Sequence, residues 1–369
     1  MGYAIDFSVF AVLASPDPVL RLAAWIAAGA CILTVLLIGA ILLLRVSRKL
    51  YEWHARRFAG NWRPLLASCT VEAPTQFPRV RRRDRIAFLY LWNHHYELLR
   101  GQTLQNLRLL AIGAGIRPVL LRNLHHLSMR SRLVAATTLG HLRATPARPE
   151  LLRLTHHRSA AVSFAAARAL LEIDPGAHLP PLLLMIAERD DWPLSRIALA
   201  LRDLGATQFS IPLANAAIEA SRQPTTLRGL PRLLHLMELA HAAQVMPAVD
   251  QLLKRADELG PDVIAPCLRL IHDPRKAHWA RTFATHDIWY VRVTAANAPR
   301  RAGAAEDREL LNKMLCDAHW WVRYRAAQAL ISLPLASLDA WEETAAAHSD
   351  QYAGEMLRHA IAEQRLSQA

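Results

Sequence analysis

The sequence has few cysteines, and their spacing suits neither a metal site nor a disulfide framework. The four cysteines, Cys31, Cys69, Cys267 and Cys316, stand far apart in 369 residues. A structural zinc site needs ligand pairs a few residues apart, and a small secreted scaffold needs a dense set of cysteines. The thiols are therefore predicted to be reduced and unpaired.

The signatures of common catalytic sites are also missing. The chain has no HExxH motif, no GxSxG elbow, no Walker loop and no GxGxxG. Adjacent acidic residues occur at Asp190 with Asp191 and at Glu342 with Glu343, but neighbours on a helix point apart, and an acidic pair at a turn usually caps a helix. We therefore predict no catalytic residue, no cofactor, no metal ligand and no small-molecule substrate, so that the protein is not an enzyme.

One long hydrophobic run is present near the N-terminus. Residues Leu22 to Leu44 are 23 positions without a charged side chain, roughly 34 Å as a helix, which exceeds the roughly 30 Å of a bilayer's hydrocarbon core. A cleaved signal peptide is the alternative, but its basic start and its small-residue cleavage site are absent. We predict a transmembrane helix over residues 22–44.

The charges on either side of this run predict its orientation. Residues 1–21 hold two aspartates and one arginine, whereas residues 45–60 hold five basic residues against one glutamate. Because basic flanks stay in the cytoplasm, residues 1–21 are predicted to be a short extracytoplasmic N-terminus and residues 90–369 to be cytoplasmic. Forty arginines against four lysines suggest GC-rich coding, so we expect a single-pass protein of a bacterial inner (cytoplasmic) membrane.

Most of the net charge of +13 falls in a basic juxtamembrane linker, predicted over residues 45–89. Such segments are attracted to anionic headgroups, and the stretch Arg45 to Phe58 suits a surface-lying role. The alternative is a solvated flank that only sets topology. The candidate lipid-binding residues are Arg79, Arg81, Arg82, Arg83 and Arg85. A nucleic-acid partner is not expected, because this basic stretch lies against a membrane.

Paired histidines then recur every 31 residues, at His94 and His95, His125 and His126, and His156 and His157. Such a period indicates stacked repeats. The same lattice continues through Asp191, Thr226, Asp257, His286, Asp317 and His348, and most of these positions precede an alanine-rich stretch. One histidine pair per repeat favours helix capping or exposed turns over a metal site, which needs converging ligands.

An arginine often follows the lattice residue by six positions, as at Arg132, Arg232, Arg292 and Arg323. The stretches DAHWWVRYRAAQALISL and HDIWYVRVTAANA resemble the HEAT-repeat family, including its HEAT-like, PBS-lyase-type members. The resemblance implies a structural ladder between adjacent repeats, formed here by Asp317, Arg323, His286, Arg292, His126 and Arg132. Ser163, Ile197 and Gly354 stand where the family has the arginine.

These observations predict an all-α protein, with one N-terminal transmembrane helix followed by a HEAT-like α-solenoid of roughly eight to nine helical repeats. A compact helical bundle is the alternative. The register is open over residues 205–275, because a helix there could begin at Gly260 or Pro261 instead of Asp257.

Aromatic pairs mark the start of the second helix in neighbouring repeats. Trp289 with Tyr290 and Trp320 with Trp321 lie 31 residues apart, and Trp192 occupies a similar turn. If their side chains are exposed, these five residues are candidates for binding a protein partner. Buried, they only pack between repeats.

The leading hypothesis is a membrane-anchored scaffold that presents its repeats to a membrane-associated protein, such as a polysaccharide-synthesising glycosyltransferase complex. One alternative is a HEAT-like repeat enzyme, similar to bilin lyases or to helical-repeat DNA glycosylases. Another is a module in which the basic segment binds anionic lipids.

Overall fold

The computed structural model describes residues 18–75, 77–302, 307–333 and 336–368. Every regular element in these ranges is a helix, which confirms the predicted all-α class. The chain divides into two compact units between Val119 and Leu120. Residue 90, the predicted start of the repeats, lies in the first of them. Most of the N-terminal segment predicted to be extracytoplasmic lies outside the described residues.

Helix α1 runs from Pro18 to Ser68, a length of 51 residues. Within it, Trp25–Ser47 is long and apolar enough to cross a membrane, and none of this segment is buried. A core helix of a soluble domain would hide its apolar face against neighbouring elements. The predicted span over residues 22–44 falls within this helix.

The helix does not end where its apolar surface ends. From Ser47 to Ser68 it continues for roughly six turns, and Pro64 lies inside it without ending it. Phe58, Trp62 and Leu66 are buried. The stretch proposed to lie on the membrane surface is thus part of the same helix as the span, and the last turns of α1 belong to the core of the first unit.

Two further helices hold the end of α1 in the first unit, α2 (Arg85–Leu98) and α3 (Gln102–Gly113). The Trp62 ring meets Phe88 edge to face, with 4.7 Å between ring centroids. The Asn106 side chain donates to the carbonyl oxygen of Cys69 at 2.9 Å. Because buried polar groups need partners, this bond fixes the chain where α1 ends.

The second unit is a succession of helix pairs. In chain order the helices are α4 (Arg117–Asn123), which crosses the boundary between the units, α5 (Met129–His141), α6 (Arg148–Thr155), α7 (Ala160–Ile173), α8 (Pro175–Glu188), α9 (Leu194–Leu204), α10 (Ala206–Ala220), α11 (Pro224–Leu227), α12 (Leu230–Met237), α13 (Ala242–Leu253), α14 (Ala256–Leu259), α15 (Pro261–Arg269), α16 (His278–Phe283), α17 (Trp289–Ala302), α18 (Arg308–Leu315), α19 (Trp320–Ser332), α20 (Leu338–Ala346) and α21 (Gln351–Gln368). Each pair is a helix, a turn and a second helix.

The second helices of successive pairs pack on one another. Contacts join α5 to α7, α15 to α17, α17 to α19 and α19 to α21. Small residues allow this close packing, since a Cβ on Gly140 of α5 would lie 2.6 Å from the Ala169 Cα of α7. In the stretch whose register was open, Gly260 has a φ of +79° and α15 begins at Pro261. Asp257 lies in the short helix α14, so a helix is found at both of the possible places.

Candidate functional site

The turn inside each helix pair is closed by the lattice residue that the sequence period identifies. At five turns its side chain accepts the backbone N–H two residues further on: His126 from Ser128 at 3.1 Å, His157 from Ser159 at 3.0 Å, His286 from Ile288 at 3.1 Å, Asp317 from His319 at 2.8 Å and His348 from Asp350 at 3.1 Å. In each case the second helix begins one residue later. These side chains satisfy amides that a helix start leaves unpaired.

Arginines connect one turn to the next. Arg292 donates through Nε and Nη2 to both carboxylate oxygens of Asp317, at 2.7 and 2.9 Å, and through Nη1 to the carbonyl oxygen of His286 at 2.8 Å. It thus binds its own turn and the next turn at once. Two parallel charge-assisted bonds are the strongest such arrangement.

Asp317 stays ionised in this position. Burial acts to raise the pKa of its carboxyl group, but the hydrogen bonds from Arg292 and from the backbone of His319 outweigh that effect and leave the pKa below its usual range. The carboxylate therefore contributes to the stability of the fold at neutral pH.

The equivalent contact at His157 is less well satisfied. Arg132 donates to the carbonyl oxygen of His126 at 2.6 Å, and its Nη1 lies 2.8 Å from His157 Nε2, while Ser159 N lies 3.0 Å from Nδ1. A neutral imidazole accepts at only one nitrogen, so only one of these last two donors can be bonded at a time. Burial, followed by the nearby arginines, lowers the pKa of His157.

The next turn shows where the sequence interpretation was incomplete. Ser163 stands where the ladder arginine is expected, and its hydroxyl instead accepts the indole N–H of Trp192 at 2.9 Å. Arg189, which was not singled out, donates to the carbonyl oxygen of His157 at 3.2 Å and to both carboxylate oxygens of Asp191, at 2.9 and 2.5 Å. A guanidinium group therefore joins these two turns as well. It belongs to a residue two positions before the lattice residue Asp191, and not to the residue six positions after His157.

Arg232 and Arg323, two further arginines six positions after a lattice residue, depart from the simple pattern. Arg232 donates to the carbonyl oxygens of Trp192 at 2.5 Å and Ile186 at 3.2 Å, whereas Thr226 is buried and donates to the carbonyl oxygen of Ala220. Arg323 donates to the carbonyl oxygen of its own Asp317 at 3.1 Å, and its guanidinium lies 5.4 Å from the Tyr352 ring centroid.

Trp192 has to be removed from the candidate partner-binding residues. Its side chain is only 2 % exposed and packs edge to face with Phe164. A buried indole with its N–H bonded inside the protein cannot contact a partner. Its position in the turn differs too, because it follows the lattice residue by one position, while Trp289 and Trp320 follow theirs by three.

The other aromatic candidates remain at the surface. Trp289, Trp320 and Trp321 are 41 %, 41 % and 46 % exposed, and Tyr290 is half-buried. Tyr352, which the sequence analysis overlooked, is 63 % exposed. It follows Trp321 by the same 31 residues that separate Trp321 from Tyr290, and this spacing could have identified it.

The tryptophan rings contact neighbouring aromatic rings, and one of these contacts joins two repeats. Trp289 stacks on His319 of the next repeat, with 4.2 Å between centroids and 4° between ring planes. Trp320 meets Trp321 edge to face at 4.7 Å and stacks on Tyr324 at 5.1 Å. We call the set of Trp289, Tyr290, Trp320, Trp321 and Tyr352 the aromatic stripe.

The candidate lipid-binding arginines precede α2. Arg79, Arg81, Arg82 and Arg83 are exposed and Arg85 is half-buried. Arg85 lies one turn before Phe88, which touches Trp62, and Trp62 is roughly 22 Å along α1 from the end of the apolar segment at Ser47. A screened surface potential extends only about 10 Å. This distance favours the solvated-flank interpretation for Arg85.

Metal-ligating side chains do not gather in the part of the chain that the structure describes: no three His, Cys, Asp or Glu residues converge there. The histidine pairs are spread along the chain. His94 and His95 lie inside α2 instead of at a turn, whereas one member of each pair at residues 125–126 and 156–157 caps the helix that follows.

No protein-family model matches the chain, and no curated protein matches it.

Proposed function

We propose that the protein is a membrane-anchored scaffold whose helical repeats, of the HEAT type, bind a protein partner at the same membrane. The observation that carries the proposal is the aromatic stripe. Trp289 and Trp320 occupy equivalent positions in neighbouring repeats, Trp321 follows Trp320, and all three have more than a third of their surface in solvent. Tryptophan and tyrosine dominate the energetic centres of protein interfaces. In a stable fold, large exposed rings placed at a repeated position indicate a binding surface.

Helix α1 supplies the anchor in this proposal. Its apolar segment crosses the bilayer once, with the N-terminus outside and the repeats in the cytoplasm of a bacterial cell, which the basic residues after the span favour. The partner is a membrane-associated protein, and a polysaccharide-synthesising glycosyltransferase complex is the class we propose. Tethering partners to one membrane raises their effective concentration without any new contact.

Co-purification from membranes tests the scaffold. The full-length chain and a Trp320→Ala, Trp321→Ala variant are extracted in mild detergent, and the proteins recovered with each are quantified. We expect the variant to lose at least about tenfold of a specific membrane protein.

Met129→Ala is the matched control, because Met129 is exposed and occupies in its repeat the position that Trp320 has in its own. Equal recovery of membrane proteins with all three chains would overturn the proposal.

A further inference from the structure

The aromatic stripe repeats with the spacing of packed helices. Tyr290, Trp321 and Tyr352 belong to the first turns of α17, α19 and α21, which pack side by side. Axes of packed helices lie about 8–10 Å apart. A polyproline II helix turns every three residues and rises about 9.3 Å per turn. One face of such a peptide therefore has the spacing to meet one ring in each of three neighbouring repeats.

Polar groups in the stripe suit the same ligand. Trp289, Trp320 and Trp321 are exposed, and their indole N–H groups bond to none of the described residues, unlike that of buried Trp192. A polyproline II segment has no internal hydrogen bonds, so its carbonyl oxygens are free to accept. Grooves lined with aromatic rings bind proline-rich segments in this manner.

Carboxylates stand at both ends of the stripe. Asp262 accepts the hydroxyl of Tyr290 at 3.0 Å, and Glu355, three residues after Tyr352, accepts the side-chain amide of Gln351 at 3.1 Å. Both residues are exposed, and neither forms an ion pair with the described residues. A basic side chain at each end of a bound segment would find an acceptor there.

We infer that the aromatic stripe binds an extended proline-rich segment of the partner, in the polyproline II conformation, with basic residues near its ends. This inference rests on the proposed function, since it names the part of the partner that the scaffold recognises. The segment lies across α17, α19 and α21, with prolines against the rings and carbonyl oxygens on the indole N–H groups.

Tryptophan fluorescence of the full-length protein in nanodiscs tests the inference. The probe is a ten-residue peptide of prolines and alanines with arginine at each end, and the comparison peptide has glycine in place of every proline. We expect saturable binding of the proline peptide and at least about tenfold weaker binding of the glycine peptide. Trp321→Ala should weaken the proline peptide at least about tenfold, with Met129→Ala unchanged.

Charge gives a second, independent measurement. Asp262→Asn and Glu355→Gln should each weaken the arginine-ended peptide several-fold at low salt and leave a glutamine-ended proline peptide unaffected, because rim charges act through screened attraction. Equal effects on both peptides would refute the placement of the basic ends.

Failure of the inference can be separated from failure of the scaffold. If neither peptide binds while the Trp320→Ala, Trp321→Ala variant still loses its membrane protein, the scaffold stands and the ligand class is wrong. Binding of a soluble oligosaccharide or of protein-free anionic vesicles through the same tryptophans, with no response to the proline peptide, would also overturn it. If no peptide binds and co-purification is unchanged, both proposals fail.

Discussion

Arg292 carries more of the cohesion between repeats than its surface position suggests. Its side chain is 16 % exposed and that of Asp317 is 13 % exposed, so their bidentate pair is largely shielded from water. Removing one partner of such a pair leaves the other charge poorly solvated, which costs more than an exposed pair contributes.

We therefore expect Arg292→Met to lower the free energy of unfolding by about 2 kcal/mol, measured by chemical denaturation of the full-length protein in detergent. Arg275→Met is the control, because Arg275 pairs with Asp273 at 2.8 Å but is 87 % exposed. Similar losses of unfolding free energy in the two variants would show that burial of the Arg292 pair adds nothing to stability.

His157→Asp should stabilise the protein. An aspartate can accept Arg132 and the Ser159 amide at the same time, as Asp317 does with Arg292 and His319, and we expect a gain of about 1 kcal/mol at pH 7. His156→Asp, at the exposed neighbouring position, should give little change. A loss of stability in His157→Asp would contradict the assignment of competing donors.

The same substitution should change the dependence on pH. Because the pKa of His157 is lowered in the fold, its contribution is present above the unfolded value of about 6.5 and is lost as the pH falls below it. The pKa of Asp317 is also lowered, so its contribution persists down to about pH 4 and is lost below. In thermal melts, His157→Asp should remove the loss of stability just below pH 6.5, while wild type retains it.

At the scale of the element, α1 joins an apolar segment long enough to cross a membrane to a packed core without an intervening loop. Hydropathy marked the apolar part of this helix correctly, but it reports where the apolar surface ends and not where the hydrogen-bonded helix ends. The basic residues that follow Leu44 are compatible with either a helix or a loop, so the continuation to Ser68 could not be predicted from them.

Spin labels at Ser47→Cys and Gly60→Cys test this continuity, in a chain whose exposed Cys31 and Cys316 are replaced by serine. A side chain at Gly60 meets nothing within 4 Å, so the label is tolerated. Because the two sites are thirteen residues apart on one helix, their backbone positions should be about 20 Å apart. We expect a single narrow distribution of distances around this value. A broad distribution would show that the helix breaks between the two sites.

The repeated elements were predictable to the extent that they obey the 31-residue period. The period located the capping residues at His126, His157, His286 and Asp317 and the arginines at 132 and 292. The period could not identify Arg189, because this residue precedes its lattice residue, Asp191, and does not follow one by six positions. Arg189 makes the contacts that an arginine at position 163 would make, where the chain has Ser163. Burial of Trp192 likewise depends on Ser163, which leaves space and an acceptor for the indole.

At the scale of the whole molecule, the predicted orientation has a direct test. Cells are first stripped of their outer envelope, with the inner membrane left intact. Protease added to these cells should leave the residues after Ser47 uncut. Protease added to inverted membrane vesicles should degrade the same residues. A variant carrying three added arginines before Pro18 and none at positions 45, 48 and 49 is the control, and it should reverse the pattern. Degradation in intact cells would show that the repeats face outward.

The continuity of α1 also has a mechanical consequence. A helix in a bilayer changes its tilt with the thickness of the membrane, and a flexible tether would absorb that movement. Phe58, Trp62 and Leu66 are buried in the first unit's core. If the apolar segment crosses a bilayer as proposed, we expect a tilt of that segment to tilt the first unit with it, so that the surrounding lipids set the orientation of the unit to the membrane.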